Sequence, residues 1–150
     1  VVPVAGLTAS TAYTLTVSGV TDLAGNAMSA PLVSTFTTGA VPDFSQPVVA
    51  SITPNNDATG VLTTSTIQIQ FSKFMDSLSI TGPTITVTTN GVTQIPGTIS
   101  VNPSGTIATF TPTTQFATTT VYSVSVSSSI TDLGGSALTA FQSTFTTGSQ

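Results

Sequence analysis

Apolar and hydroxyl-bearing residues alternate along most of this chain with a period of two. Thr66-Ile-Gln-Ile-Gln-Phe71 is the clearest case: Ile67, Ile69 and Phe71 share one face, and Thr66, Gln68 and Gln70 the other. Side chains leave a pleated backbone on opposite sides in turn, so this pattern marks a strand with one buried face. The same reading predicts strands at Tyr13–Val17, Leu32–Thr38 around Phe36, Val48–Thr53, Thr84–Thr88, Val92–Ile95, Thr98–Val101, Thr106–Thr111, Val121–Ser127 and Ser143–Thr147. Tyr122, Val124 and Val126 fall inward. Between the strands lie Asp22-Leu-Ala-Gly-Asn26, Pro54-Asn-Asn-Asp57, Asn90-Gly91 and Asn102-Pro-Ser-Gly105. Asp and Asn bond back to the main chain and Gly supplies positive φ, so these read as turns. No long stretch has helical periodicity. Short strands separated by turns predict an all-β, two-sheet antiparallel sandwich.

One stretch occurs twice. Residues 21–39 read TDLAGNAMSAPLVSTFTTG and residues 131–148 read TDLGGSALTAFQSTFTTG. Ahead of them stand LTASTAY, ending at Tyr13, and FATTTVY, ending at Tyr122. A period of roughly a hundred residues marks repeated whole domains. The expected organisation is the C-terminal half of one domain at 1–39, a linker at 40–47 and a complete domain at 48–148. The half-domain would expose sheet edges and an apolar face that a neighbour has to cover. Tyr13 and Tyr122 each follow a polar stretch and open a strand, as a tyrosine corner does. Phe36, Phe71 and Phe145 are the matching structural aromatics. With no initiator Met and no signal peptide, the sequence reads as a mature or trimmed form.

Composition narrows the function. Only 4% of residues are charged, against about 25% in an ordinary domain. The acids are Asp22, Asp43, Asp57, Asp76 and Asp132, and the single base is Lys73. Thr alone is about a fifth of the chain, which favours pleated strands. One Lys cannot neutralise a phosphate backbone, so nucleic acid is excluded as a partner. No run of about 20 apolar residues is present to insert into a membrane. Low charge leaves little repulsion between like molecules. The expected partners are therefore copies of the chain or neighbouring domains of the same kind, in a homo-oligomer or polymer.

No reaction centre is visible. There is no His or Cys to activate a Ser or Thr nucleophile, and Lys73 is remote from any G-x-S-x-G turn. Five scattered Asp do not form a glycosidase pair, and zinc lacks its soft ligands. No catalytic residue is assigned, and no cofactor is expected. Calcium is the one metal considered, through Asp22, Asn26 and Asp132 in loops at one end of a sandwich, with Asp43 and Asp57 near the junction of the two domains. The competing reading has each Asp capping its own turn. Lys73 lies in phase with Phe71, which would bury it; if the strand ends at Phe71, Lys73 is solvated.

The order of motifs resembles a known family. Pro54 to Val61 (PxxxATGV), Phe71-Ser-Lys-Phe-Met-Asp76, Gly97-Thr-Ile-Ser100, Ala108-Thr-Phe-Thr-Pro112, a Tyr-x-Val-x-Val strand, TDLxG and a final TFTTG are similar to the bacterial Ig-like module of S-layer and other cell-surface proteins. The departures are Phe74, where proline is common, and Gly134-Gly-Ser136 in place of Ala-Gly-Asn. The resemblance implies an Ig-like β-sandwich without chemistry, outside the cell, acting as spacer, stalk, filament or lattice unit. An adhesin-type binding module and an accessory domain of a large secreted enzyme are the alternatives. A covalent Lys–Asn link, known in some surface Ig-like domains, would make Lys73 the residue to examine.

Overall fold

Strands rich in Thr, Val and Ile persist only where one face is removed from water, and most of this chain achieves that. The computed structural model describes residues 7–40, 43–89 and 91–149. The chain divides into two compact units, Val1–Asp43 and Phe44–Gln150. The first contains strands β1 (Ala12–Val17) and β2 (Leu32–Thr37). The second contains β3 (Val49–Thr53), β4 (Ala58–Val61), β5 (Ile67–Phe71), β6 (Ile85–Thr89), β7 (Thr93–Gln94), β8 (Gly97–Val101), β9 (Ile107–Pro112), β10 (Val121–Val126) and β11 (Phe141–Thr147).

In the second unit one sheet has the order β3-β5-β9-β8 and the other β4-β11-β10-β6-β7. Every pairing is antiparallel except β4 with β11, which is parallel. The chain changes sheets between β3 and β4. The inner faces supply Ile52, Ile67, Ile69, Phe71, Ala108 and Phe110 from the first sheet, and Ile85, Val87, Tyr122, Val124, Val126 and Phe145 from the second, all buried. In β5 burial alternates strictly, with Gln68 and Gln70 outward. Met75, Ile80, Ile130 and Leu138 extend the core into the loops. Gly97 opens β8 because the Phe110 ring occupies the space its Cβ would need.

Two features depart from the sequence expectation. β4 was not expected as a strand: it is four residues long, contains Gly60 at φ +68° and lacks alternation. Long-range bonds hold its ends, Asp57 N to Thr144 O at 2.7 Å and Gly148 N to Val61 O at 2.8 Å. One turn of 3-10 helix, Ser77–Ser79, follows Asp76, whose carboxylate accepts from Leu78 N. The Asn90-Gly91 turn is described only from Gly91, at φ +69°; Asn90 lies outside the described residues, as do 1–6 of the expected half-domain and 41–42 of the expected linker.

The first unit reproduces one piece of the second. Its β1–β2 hairpin pairs Tyr13 with Phe36, Leu15 with Ser34 and Val17 with Leu32. The β10–β11 hairpin pairs Tyr122 with Phe145, Val124 with Ser143 and Val126 with Phe141, in the same register. Both carry an isolated bridge in the connecting loop, Thr21 to Ala27 and Thr131 to Ala137. Burial separates them: Phe145 is 1% exposed and Phe36 48%.

Ser143 sits at the centre of the inner face, 3% exposed, and its hydroxyl has no hydrogen-bond partner. An unmatched buried hydroxyl costs stability, whereas an apolar replacement of similar shape does not. Ser143→Ala should therefore leave stability unchanged or raise it by about 1 kcal/mol, read as an unaltered or higher urea midpoint with the same slope.

Candidate functional site

The charged groups of this chain, five Asp and one Lys, are few enough to follow individually. Asp22 and Asp132 hold equivalent places, each at the start of the loop joining the two hairpin strands. Asp132 Oδ1 accepts from Gly134 N at 2.9 Å and Ser136 N at 2.8 Å. Asp22 Oδ1 accepts from Ala24 N and Asn26 N, both at 2.9 Å. One carboxylate oxygen thus satisfies two main-chain donors, and Gly25 and Gly135 take the positive φ of the turn. The second oxygen differs between the copies. Asp22 Oδ2 accepts from Asn26 Nδ2 at 2.8 Å. In the second unit Ser136 replaces that Asn, and Lys73 Nζ reaches Asp132 Oδ2 at 3.1 Å instead.

Lys73 also donates to Ser45 O at 2.6 Å, and its side chain is only 14% exposed. The expectation of a solvated Lys73 is therefore corrected. The strand ends at Phe71 and the chain bends at Ser72 and Lys73, and the ammonium is placed on the Asp132 carboxylate. Burial pushes the Asp132 carboxyl up, but the bonds from Ser136 N, Lys73 and Gly134 N outweigh it and hold it below the usual range. Asp22 is likewise held low, by the Asn26 amide first and then by main-chain N–H groups. The Lys73 ammonium thus sits on a carboxylate and a main-chain carbonyl, the geometry of an ion pair.

The calcium candidates fall into place as turn residues. Asp22 and Asn26 are together, but as acceptor and donor of one hydrogen bond. Asp132 lies in the other unit. Among the described residues no three acidic, His or Cys side chains gather around one point. Asp57 stands just before β4: Oδ1 accepts from Thr144 Oγ1 at 2.7 Å, and Asn56 Oδ1 accepts from Thr144 N at 3.0 Å. Asp76 caps the 3-10 turn. Beside it an open groove of about 540 Å³ is lined by Phe74, Met75, Val101, Pro103 and Leu133 among others. Phe74 is 60% and Leu133 76% exposed. Asp76, Ser77, Asn102 and Ser104 supply its polar lining; the Asp76 carboxylate accepts from Leu78 N and the Ser104 hydroxyl from Asn102 Nδ2.

Both tyrosines are corners. Ala117 N donates to the Tyr122 hydroxyl at 2.7 Å and Thr8 N to that of Tyr13 at 2.8 Å. Tyr122 packs with Phe116 and Phe145 at centroid distances of 4.6 and 5.4 Å, whereas Tyr13 stacks on Phe36 alone, at 5.8 Å. Phe71 is buried at the end of β5. Sequence reasoning missed the last Thr of TFTTG. Thr147 Oγ1 donates to Ala117 O at 2.6 Å and accepts from Thr120 N; Thr38 Oγ1 does the same with Thr8 O and Thr11 N. The repeated motif was the available signal, since a hydroxyl that locks a corner must recur with that corner.

Two predictions follow from this geometry. Tyr122→Phe leaves Ala117 N without its partner in a part-buried corner and should cost about 1–2 kcal/mol, while Tyr13→Phe, at an exposed corner, should cost less than about 0.5 kcal/mol; urea unfolding of the two variants separates them. Asp132→Asn removes the countercharge of the Lys73 ammonium, which keeps its bond to Ser45 O, and should cost about 1–3 kcal/mol at pH 7. A carboxyl held low in the folded state stabilises fully above about pH 4 and loses that effect as pH falls through its folded value. The gap between wild type and Asp132→Asn should accordingly stay constant above about pH 4 and shrink as the pH falls below it, measured by urea midpoints on both sides of that value.

Residues 1–38 and 43–147 match the bacterial Ig-like domain family. No curated protein sequence matches the chain. Among solved structures, the S-layer protein SbsC superposes with a TM-score of 0.55 at 20% identity, over 71% of this chain and 14% of that one. The chain thus corresponds to a small part of that protein's length. PcoC, a methionine-rich copper resistance protein from Escherichia coli, superposes at 0.56 with 16% identity, over 69% of this chain and 99% of that one. An L,D-transpeptidase from Mycobacterium smegmatis gives 0.50 at 18% identity, over 69% and 41%. Identities this low speak for the shared sandwich alone. The two matched stretches place this chain in the bacterial Ig-like domain family.

Proposed function

We propose that this chain is a non-catalytic structural module of the cell surface, a spacer or assembling unit of a layer, stalk or filament. The observation that carries the reading is the use of its polar groups. Asp22, Asp57, Asp76 and Asp132 bond within or beside their own turns, and the one amine of a Lys side chain sits on Asp132. Chemistry needs polar groups held ready for a substrate; here they hold loops. The family and the likeness to an S-layer protein support a place outside the cell. Copies of the chain or neighbouring Ig-like modules are the proposed partners, meeting through the open sheet edges of the first unit by strand addition. The likeness to a copper resistance protein does not extend to donors: the chain has two Met and no His or Cys, too few soft ligands for copper.

An adhesin-type role is the second reading, favoured by the groove beside Phe74 and Leu133. An accessory domain of a secreted enzyme is the third, favoured by the transpeptidase likeness. Immunogold labelling of the source cells should show the chain at the periphery, and glycan and host-protein arrays should show no saturable binding. Saturable binding abolished by Phe74→Ser would replace the structural reading with the adhesin one.

A further inference from the structure

An open two-sheet sandwich has strand edges, and an edge with unpaired main-chain groups invites another strand unless something blunts it. In the second unit the edges are β3 and β8 of one sheet and β4 and β7 of the other. Three of them are blunted. β3 has a register shift between Val49 and Ser51, with Pro47 before it and Pro54 after it. β4 follows Asp57, contains Gly60 at φ +68° and pairs irregularly with β11. β7 is two residues long. β8 has none of these devices: its five residues pair with β9 without a break in register, from Gly97 with Pro112 to Val101 with Ala108. No charged residue stands between Asp76 and Asp132, so no like charge guards this edge.

The ends of the β8–β9 ladder fix which main-chain groups are open. Asn102 N donates to Ile107 O and Thr113 N to Pro96 O. Pairs that exchange hydrogen bonds recur at every second residue, so Thr98 and Ser100 turn their N–H and C=O groups toward β9. Gly97, Ile99 and Val101 turn theirs to the open side. Pro96 lacks its N–H on the paired side, which leaves the open side unharmed. The side chains divide in the same way: Ile99 and Val101 pack partly against the core, while Thr98 and Ser100 are exposed.

We propose that this edge takes the β8 edge of a second copy, antiparallel about Ile99, so that two four-stranded sheets join into one. The contact rests on the reading of the chain as an assembling unit and deepens it, on the second unit. Self-complementarity selects the occupant. In that register Ile99 meets its own counterpart and Gly97 meets the copy's Val101. Every outward main-chain group then meets another outward one, and each such pair exchanges both bonds. Ile99 and Val101 of both copies lie on the inner side, and Thr98 lies opposite the copy's Ser100 on the outer side. A slip by one residue would set outward groups against groups already bonded to β9 and turn apolar side chains to water. No charge on the strand opposes a like chain.

Cysteine pairing reads the register, because the chain has no Cys of its own. Thr98 and the copy's Ser100 would form a non-hydrogen-bonded pair with Cα atoms about 4.5 Å apart, within reach of a disulfide. An equimolar mixture of intact Thr98→Cys and Ser100→Cys chains, oxidised with glutathione disulfide, should give at least about tenfold more linked dimer than either variant alone. Sedimentation equilibrium gives a second readout. The mass of the wild type should rise from monomer toward dimer with concentration. Thr98→Lys combined with Ser100→Lys sets like charges opposite each other, on side chains exposed in the single chain, and should weaken association at least about tenfold. The corresponding double Asp variant should do the same, and mixing the two should restore the dimer, with urea midpoints confirming that each variant folds. The pairing is overturned if the cysteine mixture links no better than its components, or if the wild type stays monomeric. It is also overturned if the Lys variant associates as well as the wild type; other edges would then carry the assembly, and the structural reading would stand. Saturable binding on the glycan and host-protein arrays would sink that reading while leaving the cysteine pattern untouched.

Discussion

Everything in the second unit depends on one packing contact, the inner face of the β10–β11 hairpin against the opposing sheet. Tyr122, Phe116 and Phe145 form its densest part, with Tyr122 and Phe145 stacked at 22° and Phe116 edge-on to Phe145 at 71°. Such aromatic groups bury more area than any other side chains and add a geometric preference to it. The same hairpin in the first unit retains its register, its corner bond and its hydroxyl lock. Local bonding is therefore enough to define the hairpin, and burial is what distinguishes a core from a surface.

The polar chemistry is organised around that contact and not around a substrate. Corner loops are fixed by one tyrosine hydroxyl and one threonine hydroxyl, and turn loops by one aspartate each. At Ser10 and Thr119, in matching corner positions, non-glycine residues are held at φ +50°, a conformation that surrounding bonds must impose. Ser10 N donates to Gly39 O and Thr119 N to Gly148 O. The exchange of Asn26 for Lys73 as the partner of the turn carboxylate shows the rule at work. When Ser136 is too short to reach the second oxygen, a donor arrives from another loop, and a local cap becomes a tie between distant segments.

The sandwich, the inward residues of β5 and β10, the hairpin turns and the repeat were all legible because each has a local signature: alternation, Asx-Gly chemistry or direct self-similarity. What was not legible has partners far along the chain. β4 is defined by main-chain bonds to β11 and has no periodicity of its own. Lys73 meets Asp132 across 59 residues, and no pattern near Lys73 announces it. The clue lay elsewhere, in the missing Asn of the second TDLxG turn. Asp57 reads locally as the end of the Pro54–Asp57 turn, and its bond to Thr144, 87 residues away, has no local signature. Lys73 lies past the end of β5, where strand parity no longer applies, and its place is set by Asp132 and Ser45.

The outer face of the β11-β10-β6 sheet is lined by Thr86, Thr88, Ser123, Ser125, Gln142 and Thr144. Hydroxyls and one amide keep it wet without charge. A surface of this kind gains little from electrostatic steering and loses little to salt, so contacts made by such a module must come from shape, main-chain edges and buried area. With its charges bonded in loops, this sheet turns hydroxyls, an amide and main-chain edges to its surroundings, and its outer face is kept in water by hydrogen bonding and not by repulsion between ions.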